Sequence, residues 1–141
     1  MSVVDVKIED GVALVTVDNP PVNATSTAVR SGLLAAVHAA RGCRLAVLQC
    51  KGPTFIAGGD MSEFDAPPQE PHLPDVVDAI ENSETPFVAA MRGTVLGGGL
   101  EIAMACAWRI AAPGTRFGLP EVNVGLIPGA GGTQRAPRLF G

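Results

Sequence analysis

One stretch of the sequence decides how the chain folds: Val95-Leu96-Gly97-Gly98-Gly99-Leu100-Glu101-Ile102-Ala103-Met104-Ala105-Cys106. Its three glycines separate an apolar run from a segment whose Leu, Ala and Met residues favour helix. The first N–H groups of a helix have no partner inside the helix, and together with the helix dipole they stabilise negative charge. Glu101 follows about one helical turn later. The stretch therefore predicts an anion-stabilising backbone turn beside a carboxylate, which suits acid–base chemistry.

The composition is typical of a folded domain without a nucleic-acid or membrane partner. The chain has 141 residues, of which 47% are apolar, too many for a disordered chain. The net charge of −4 argues against a nucleic-acid-binding surface, and no run of Lys and Arg favours an anionic membrane. The most apolar region, Phe87–Trp108, is interrupted by Arg92 and Glu101, so it is not predicted to span a membrane.

The cysteines and histidines do not form a pattern typical of a metal site. Cys43, Cys50 and Cys106 are an odd number without a CxxC pair, which is typical of free thiols in a reducing compartment. His38 and His72 have no Cys partner at zinc spacing, so no metal is expected. The acidic N-terminal region is not typical of a signal peptide. We therefore expect a soluble cytoplasmic protein.

The first half of the chain predicts a hairpin followed by a parallel crossover. Residues 4–8 alternate apolar and polar and predict a strand, the Asp10-Gly11 pair predicts a hairpin turn, and the run at 12–17 is interpreted as the partner strand. Apolar residues four apart predict an amphipathic helix over 26–41, which Ser26 or Thr25 could cap. The apolar run at 45–50 predicts a strand covered on both faces. A strand, a helix and a strand in this order imply a right-handed parallel connection.

The second half alternates helices and strands around glycine turns. A glycine turn ends in Asp60, and a short helical segment follows it. A helix is predicted to start at Pro74 and to end before Glu84-Thr85-Pro86. A strand from Phe87 leads to the triple glycine, and another strand is predicted at 108–112. A glycine-rich loop is predicted at 125–135, and the start of another helix is predicted after it, near residue 141.

The glycine turns do not match the common nucleotide motifs. No GxGxxG and no GxxxxGK[ST] occurs, so a Rossmann or Walker site is not favoured. A lone glycine-rich turn is most often only a tight turn.

Two glutamates lie in apolar surroundings beside the glycine turns, and each has two interpretations. In the first, Glu101 and Glu121 point to solvent from amphipathic elements, which the sequence pattern alone favours because charged residues are rarely buried. In the second, they are a carboxylate pair across a cleft, one donating and one accepting a proton. For the side chain of Asp60 a helix cap is favoured over a ligand, and for Cys106 a core position is favoured over a nucleophile.

Four motifs are distinctive when they are taken together: Thr54-Phe55-Ile56-Ala57-Gly58-Gly59-Asp60-Met61, Gly97-Gly98-Gly99-Leu100-Glu101, Phe117-Gly118-Leu119-Pro120-Glu121 and Ile127-Pro128-Gly129-Ala130-Gly131-Gly132-Thr133-Gln134-Arg135. In this order they resemble the enoyl-CoA hydratase/isomerase (crotonase) superfamily, and the similarity runs from the first strand to Gly141. The proline loop at 67–74 is more similar to the hydratase half of bifunctional hydratase–3-hydroxyacyl-CoA dehydrogenases.

The resemblance implies an α/β fold with the family's ββα spiral core. Residues 1–141 would be the N-terminal part of the catalytic domain, C-terminally truncated, since family domains continue into helices that cover the acyl pocket and build trimers. A homo-oligomer, a trimer or a multiple of it, is therefore implied. The substrate brings its own CoA, and neither a metal nor another cofactor is expected. No dehydrogenase follows in this chain, so no NAD site is expected.

The resemblance also implies roles for individual residues. The backbone N–H groups of Gly59 and Gly98 match the family's oxyanion hole, which holds the thioester oxygen. Glu101 matches the glutamate that activates water for attack at C3, and Glu121 matches the one that transfers the proton at C2. The positions that match the substrate- and CoA-contacting segments are Ala57, Gly59, Asp60, Met61, Ser62 and Gly98.

The expected activity is hydration of 2-trans-enoyl-CoA to 3-hydroxyacyl-CoA, a step of fatty-acid metabolism. Three alternatives stay open. A Δ3-Δ2 enoyl-CoA isomerase would use Glu121 alone as a proton shuttle. A non-catalytic acyl-CoA-binding or assembly fragment would bind the thioester without turnover, and an unrelated glycine-rich domain would bind a nucleotide.

Overall fold

A computed structural model describes residues 2–141, in which a five-stranded sheet and a two-stranded sheet are combined with four α-helices. The strands are β1 (Val4–Glu9), β2 (Val12–Val17), β3 (Leu45–Cys50), β4 (Phe87–Met91), β5 (Thr94–Leu96), β6 (Trp108–Ala111) and β7 (Arg116–Gly118). The helices are α1 (Thr27–Ala39), α2 (Leu73–Glu81), α3 (Gly98–Ala105) and α4 (Gly132–Phe140). Two short 3₁₀ helices span Met61–Glu63 and Pro120–Val124. The predicted α/β class is confirmed.

The predicted hairpin is confirmed at the start of the chain. β1 and β2 pair antiparallel, with Val4 opposite Val17. Asp10 and Gly11 both have positive φ, 52° and 78°. This backbone matches the twist of the flanking strands, which is why Asp-Gly is a strong hairpin signal.

The predicted parallel crossover is also confirmed. β2 pairs parallel with β3, and α1 lies between them in the chain. The larger sheet has the order β1-β2-β3-β4-β6. Ser26 caps α1 by accepting a hydrogen bond from the Val29 N–H at 3.3 Å, which leaves Thr25 for another role. β3 buries one face fully and the other only in part, so the expectation of two covered faces is met on one side.

The core is built mainly from aliphatic side chains, as the low aromatic content requires, with Phe55 and Phe87 as its largest members. Alternate residues of β2 and β3 point into it and meet the apolar stripes of α1 and α2, while α3 is buried along its whole length. A helix buried on all sides needs apolar residues on every face. Glu101 breaks that pattern and is therefore the most informative position in α3.

The sequence predicted one continuous strand from Phe87 to the triple glycine, and this prediction is wrong. The structure divides it at Arg92-Gly93 into β4, in the larger sheet, and β5, which pairs with β7. Gly93 has a φ of +69°, and the Arg92 side chain donates to the Gly52 carbonyl at 3.0 Å. The turn redirects the chain between sheets, so that β5 runs directly into α3.

Two predicted helix starts are displaced. α2 begins at Leu73, one residue before Pro74, where the Asp75 carboxylate accepts a hydrogen bond from the His72 N–H at 3.0 Å. α4 begins at Gly132, inside the segment predicted as a loop to residue 135. Gly131 has a left-handed φ of 87°, and its carbonyl accepts from the Arg135 N–H at 2.8 Å, which starts the first turn. Among residues 2–141, none of the helices combines the length and apolarity needed to cross a bilayer.

Candidate active site

The start of α3 is fixed by the close packing of its glycines. Gly97 has φ 54° and ψ −124°, and its N–H donates to the Gly118 carbonyl of β7 at 2.9 Å. A Cβ on Gly99 would overlap the main-chain carbonyl of Ile56, so only glycine allows this approach. The triple glycine therefore places the first turn of α3 directly against the segment that leads to the second glycine turn.

The two glycine turns lie side by side. The Gly58 N–H donates to the Leu96 carbonyl at 3.0 Å, which joins the turn before Asp60 to the end of β5. A Cβ on Gly59 would be 3.8 Å from Thr25 Oγ1, and one on Gly98 would be 3.4 Å from the same atom. Gly59 and Gly98 thus both lie next to the hydroxyl of the buried Thr25.

The main-chain N–H groups of these two glycines are unpaired within residues 2–141. Neither the Gly59 N–H nor the Gly98 N–H donates to an acceptor in that part of the chain. Both residues line the same cleft. Two neighbouring donors that face a cleft can bind one oxygen atom that carries negative charge.

Glu101 is buried, with 2% of its surface exposed. Its Oε2 atom accepts hydrogen bonds from the Ala130 N–H at 2.7 Å and the Gly132 N–H at 2.9 Å. The solvent-exposed interpretation, which the sequence pattern favoured, is therefore wrong for this residue. Two charge-assisted bonds offset part of the cost of burying the carboxylate, while Oε1 accepts no hydrogen bond from residues 2–141.

The environment of Glu101 increases its affinity for a proton. Burial is the largest effect and raises the pKa of the carboxyl above its usual value, and the charge of Glu121 raises it as well. The N–H groups of Gly132 and Ala130 and the charge of Arg135 act in the opposite direction without outweighing burial. A carboxylate with a raised pKa is a better general base than an exposed one.

Glu121 faces the same space from the 3₁₀ helix after β7. It is half-buried, and its Oε1 atom is buried without a hydrogen-bond partner in residues 2–141. Its Oε2 lies 3.3 Å from the position that a Cβ on Gly97 would take. Since buried carboxylate oxygens are nearly always paired, an unpartnered one aimed into a cleft indicates a functional role. The paired-carboxylate interpretation is supported by this placement.

The cleft that these groups share has a volume of about 870 Å³. Its walls also carry the apolar side chains of Leu73, Leu96, Val124, Leu126 and Ile127. A large apolar cleft with a few converging polar groups is typical of a small-molecule site. The candidate substrate-contacting residues from the first glycine turn also line it: Ala57, Gly59, Asp60, Met61 and Ser62.

Asp60 is a helix cap, as predicted. Its Oδ1 accepts from the Ser62 N–H at 3.0 Å and from the Ser62 hydroxyl at 2.6 Å. These bonds start the 3₁₀ helix at Met61, whose side chain is exposed at the rim of the cleft.

Cys106 lies in the core, as predicted. Its thiol is buried, approaches the Ile102 carbonyl at 3.5 Å, and has a pKa raised by burial to about 12. Cys43, Cys50 and Cys106 are all free thiols. In residues 2–141 no group of three or more His, Cys, Asp and Glu side chains could hold a metal ion.

Sequence reasoning did not identify four contributors to this site: Thr25, Ala130, Gly132 and Arg135. Thr25 was considered only as a cap, although its hydroxyl lies beside both Gly59 and Gly98. Ala130, Gly132 and Arg135 belonged to the glycine-rich loop predicted at 125–135, for which the residue pattern indicated no contact with Glu101. The only available signal was the concentration of glycines there, which indicates close backbone approach without naming the partner.

Comparison with known proteins identifies the family to which nearly all of the chain belongs. The enoyl-CoA hydratase/isomerase family matches residues 7–141. The chain is 47% identical over 137 residues to a Danio rerio protein named peroxisomal bifunctional enzyme, covering 95% of this chain and 19% of that protein. It is 38% identical, over an alignment of 151 residues, to a Bacillus subtilis protein named "Probable enoyl-CoA hydratase", covering 100% of this chain and 58% of that protein.

Solved structures show the same fold. An enoyl-CoA hydratase structure from Bacillus anthracis matches with a TM-score of 0.88 and 32% identity, over 99% of this chain and 58% of that one. A Geobacillus kaustophilus structure, described as an enoyl-CoA hydratase subunit, matches with a TM-score of 0.87 and 36% identity, over 99% and 57%. The chain thus spans less than two thirds of the length of these relatives.

Proposed function

This chain belongs to the enoyl-CoA hydratase/isomerase family, and we propose that it adds water to 2-trans-enoyl-CoA thioesters to give 3-hydroxyacyl-CoA. One observation carries the proposal: the unpaired N–H groups of Gly59 and Gly98 and the carboxylates of Glu101 and Glu121 line one cleft. The reaction needs both kinds of group. Charge develops on the thioester oxygen while one proton leaves water and another reaches C2.

The two backbone donors are assigned to the thioester carbonyl. When water attacks C3, the electrons of the C2=C3 bond move towards the carbonyl and leave an enolate-like oxygen. Hydrogen bonds from the N–H groups of Gly59 and Gly98 to that oxygen stabilise the developing charge. The backbone does not need to reorganise, because both donors are in place before the reaction. Loss of one such donor typically costs about 3 kcal/mol of transition-state stabilisation.

Glu101 is assigned as the base that activates water. Its Oε2 is held by the N–H groups of Ala130 and Gly132, so the side chain is fixed and Oε1 remains for the water. As the water oxygen bonds to C3, Glu101 takes one of its protons. Its raised pKa makes that transfer more favourable.

Glu121 is assigned as the proton donor at C2, a role that requires it to enter the step protonated while Glu101 enters as the carboxylate. The burial of its unpartnered Oε1 supports this role, because the atom has no competing bond within residues 2–141. When the enolate collapses, the electron pair returns from the oxygen and forms the new C2–H bond. One carboxylate has then gained a proton and the other has lost one, and exchange with solvent restores both.

The rim of the cleft is assigned to the CoA part of the substrate. Ala57, Met61 and Ser62 border the cleft beside Gly59. The Asp60 carboxylate is occupied by its bonds to Ser62, so we assign contact there to the main chain. Residues 1–141 are accordingly proposed to be the N-terminal part of a catalytic domain.

Δ3-Δ2 enoyl-CoA isomerisation is a second candidate, favoured by the unpartnered oxygen of Glu121. In that reaction one carboxylate removes a proton from C2 and returns it at C4, while the same two N–H groups hold the enolate oxygen. Water activation by Glu101 is not needed. The two reactions therefore differ in their requirement for Glu101.

The test compares Glu101→Gln, Glu121→Gln and the exposed control Glu9→Gln in the absorbance assay of crotonyl-CoA hydration and in a 3-enoyl-CoA isomerisation assay. Gln keeps an oxygen for the two amides but cannot take a proton, so Glu101→Gln should lower hydration at least about 100-fold. Glu121→Gln should lower both reactions, and Glu9→Gln neither.

Other outcomes favour the alternatives. Isomerisation that survives Glu101→Gln, with little hydration in the unsubstituted chain, would favour the isomerase. Calorimetric binding of an acyl-CoA without loss of crotonyl-CoA absorbance would favour a non-catalytic acyl-CoA-binding fragment. Binding of ATP or NAD instead would contradict both family activities.

A further inference from the structure

We infer that Arg135 is a positioning residue for Glu101: it fixes the 130–132 backbone, whose two N–H groups hold the carboxylate. Glu101 depends on a loop that has little regular structure of its own, since Ala130 and Gly132 lie just before and at the start of α4. The 130–132 backbone therefore needs contacts that hold it in place relative to the rest of the molecule. The catalytic part of the inference rests on the proposed role of Glu101, and the structural part does not.

Arg135 is anchored to α2 by two carboxylates. Its Nε and Nη2 atoms donate to the two oxygens of Glu81 at 3.2 and 2.5 Å, a bidentate arrangement. Nη2 also lies 3.8 Å from Asp78 Oδ1. The Arg135 side chain is 17% exposed, whereas that of Glu81 is 49% exposed, so the pair lies at the surface with its arginine side covered. A planar fork that meets a carboxylate in this way fixes orientation as well as distance.

The third nitrogen of the same guanidinium reaches the loop. Nη1 donates to the Ala130 carbonyl at 3.3 Å, so Arg135 contacts the residue whose N–H binds Glu101. A Cβ on Gly131 would overlap Nη1, so the guanidinium lies directly against the backbone between the two donating amides. The path from α2 to Glu101 is continuous: Glu81, Arg135, Ala130 and Glu101.

The charges around Glu101 indicate that Arg135 acts on this carboxylate mainly by positioning the loop backbone, and less by the electrostatic field of its own charge. Glu121 faces Glu101 from the 3₁₀ helix, and Arg135 faces it from α4. Arg135 is already paired with Glu81 and Asp78 of α2, which compensate its charge. Its effect on Glu101 is then exerted mainly through the two amides. Lys at 135 would keep the charge but lose the planar fork.

The experiment uses Arg135→Gln, Arg135→Lys and Glu81→Gln, with Arg138→Gln as the matched control. Arg138 is on the same helix and is exposed, and its side chain makes no hydrogen bond or ion pair within residues 2–141. Two readouts are independent of turnover: hydrogen exchange of the Ala130 and Gly132 amides by NMR, and the ¹³C titration of the Glu101 carboxyl. The third is kcat and KM for crotonyl-CoA hydration.

With Arg135→Gln we expect the two amides to exchange about tenfold faster and the Glu101 titration to move to higher pH, because its bonds to the N–H groups weaken. The kcat should fall about tenfold, with KM changed less than twofold, because the amides hold a catalytic group and not the substrate. The acidic limb of the rate profile should move to higher pH. Glu81→Gln and Arg135→Lys should show smaller changes in the same directions.

Three results would overturn the inference. They are amide exchange in Arg135→Gln equal to that in Arg138→Gln, faster exchange spread evenly over α2 and α4, and an unchanged Glu101 titration. The last two describe an ion pair that only stabilises the fold. If the unsubstituted chain hydrates no 2-enoyl-CoA, the proposed function fails, while the exchange and titration results still decide whether Arg135 positions Glu101.

Discussion

Glu101 is a charged side chain in a helix that is otherwise buried and apolar. The N–H groups of Ala130 and Gly132 reduce the free-energy cost of burying this carboxylate. Its pKa is still raised, chiefly because burial removes the carboxylate from solvent. A raised pKa means that the folded state binds the proton more tightly than the unfolded state does. The stability that this provides is fully present below the unfolded pKa and is lost as pH rises through the folded pKa.

Glu101→Gln is therefore expected to be at least as stable as the unsubstituted chain at neutral pH. Gln does not ionise, so it avoids the cost that the carboxylate meets above its folded pKa. The difference in free energy of unfolding should grow from near zero at about pH 4 towards pH 7. Urea denaturation at a series of pH values measures it, with Glu9→Gln as control. A Glu101→Gln variant that is less stable at pH 7 than at pH 4, relative to the unsubstituted chain, would contradict this account.

The partners of Glu101 could not be predicted from the sequence. Ala130 and Gly132 are 29 and 31 residues further along the chain. No local pattern reports which distant N–H groups will meet a carboxylate, so the sequence alone favoured an exposed side chain. The resemblance to a known family identified Glu101 and Glu121 as a pair, but their burial, partners and orientation came only from the structure.

At the scale of elements, α1 and the wall of the cleft are joined through one buried arginine. Arg30 of α1 donates to the Thr25 carbonyl at 2.6 Å, to the Pro71 carbonyl at 2.6 Å and to Glu63 Oε2 at 2.9 Å. Glu63 also accepts from Thr27. Burial raises the pKa of Glu63, but its bonds to Thr27 and Arg30 outweigh burial and lower it. This arginine therefore holds the proline loop and the Met61–Glu63 turn against α1.

Arg30→Met is expected to lower the free energy of unfolding by about 2–3 kcal/mol, because it leaves buried carbonyls and a carboxylate without their donor. Arg138→Met, an exposed position, should change it by less than about 0.5 kcal/mol. Chemical denaturation monitored at Trp108 or by circular dichroism measures both. Equal effects of the two substitutions would show that the contacts of Arg30 contribute nothing to stability.

Element types were predictable where the periodicity was clear, and their boundaries were not. β1, β2, α1 and β3 follow from alternation and from apolar spacing. The division between β4 and β5 was missed because both are apolar, and an apolar run does not report a change of sheet. The start of α4 was missed because glycines are poor helix formers, and it forms here through a left-handed Gly131.

At the scale of the whole molecule, exposed apolar side chains are numerous after residue 121. They are Val122, Val124, Leu126, Ile127, Leu139 and Phe140, of which Val124, Leu126 and Ile127 also line the cleft. Soluble monomers rarely leave large apolar patches uncovered. The homo-oligomer implied by the family resemblance is consistent with this surface and stays a prediction. The cytoplasmic location also stays a prediction, and several relatives are named peroxisomal proteins.

We expect the 141-residue chain to self-associate at micromolar concentrations. Phe140, at the end of α4, is 62% exposed. Ile8 of β1 is similarly exposed, at 56%, and serves as the control position. Phe140→Ser should raise the concentration needed for association about tenfold, and Ile8→Ser should leave it unchanged. Sedimentation velocity over a concentration series measures this. A single monomeric species up to the highest concentration would contradict the prediction.

The unpaired N–H groups of Gly59 and Gly98 belong to the main chain, and this has an evolutionary consequence. Point mutations exchange side chains readily, but only a proline removes an amide hydrogen. A point mutation can replace the acid at 101 or 121, whereas the pair of donors is kept as long as the backbone keeps this fold. A lineage built on this architecture can thus acquire new reactions by exchanging two side chains, provided that each reaction passes through a negatively charged oxygen.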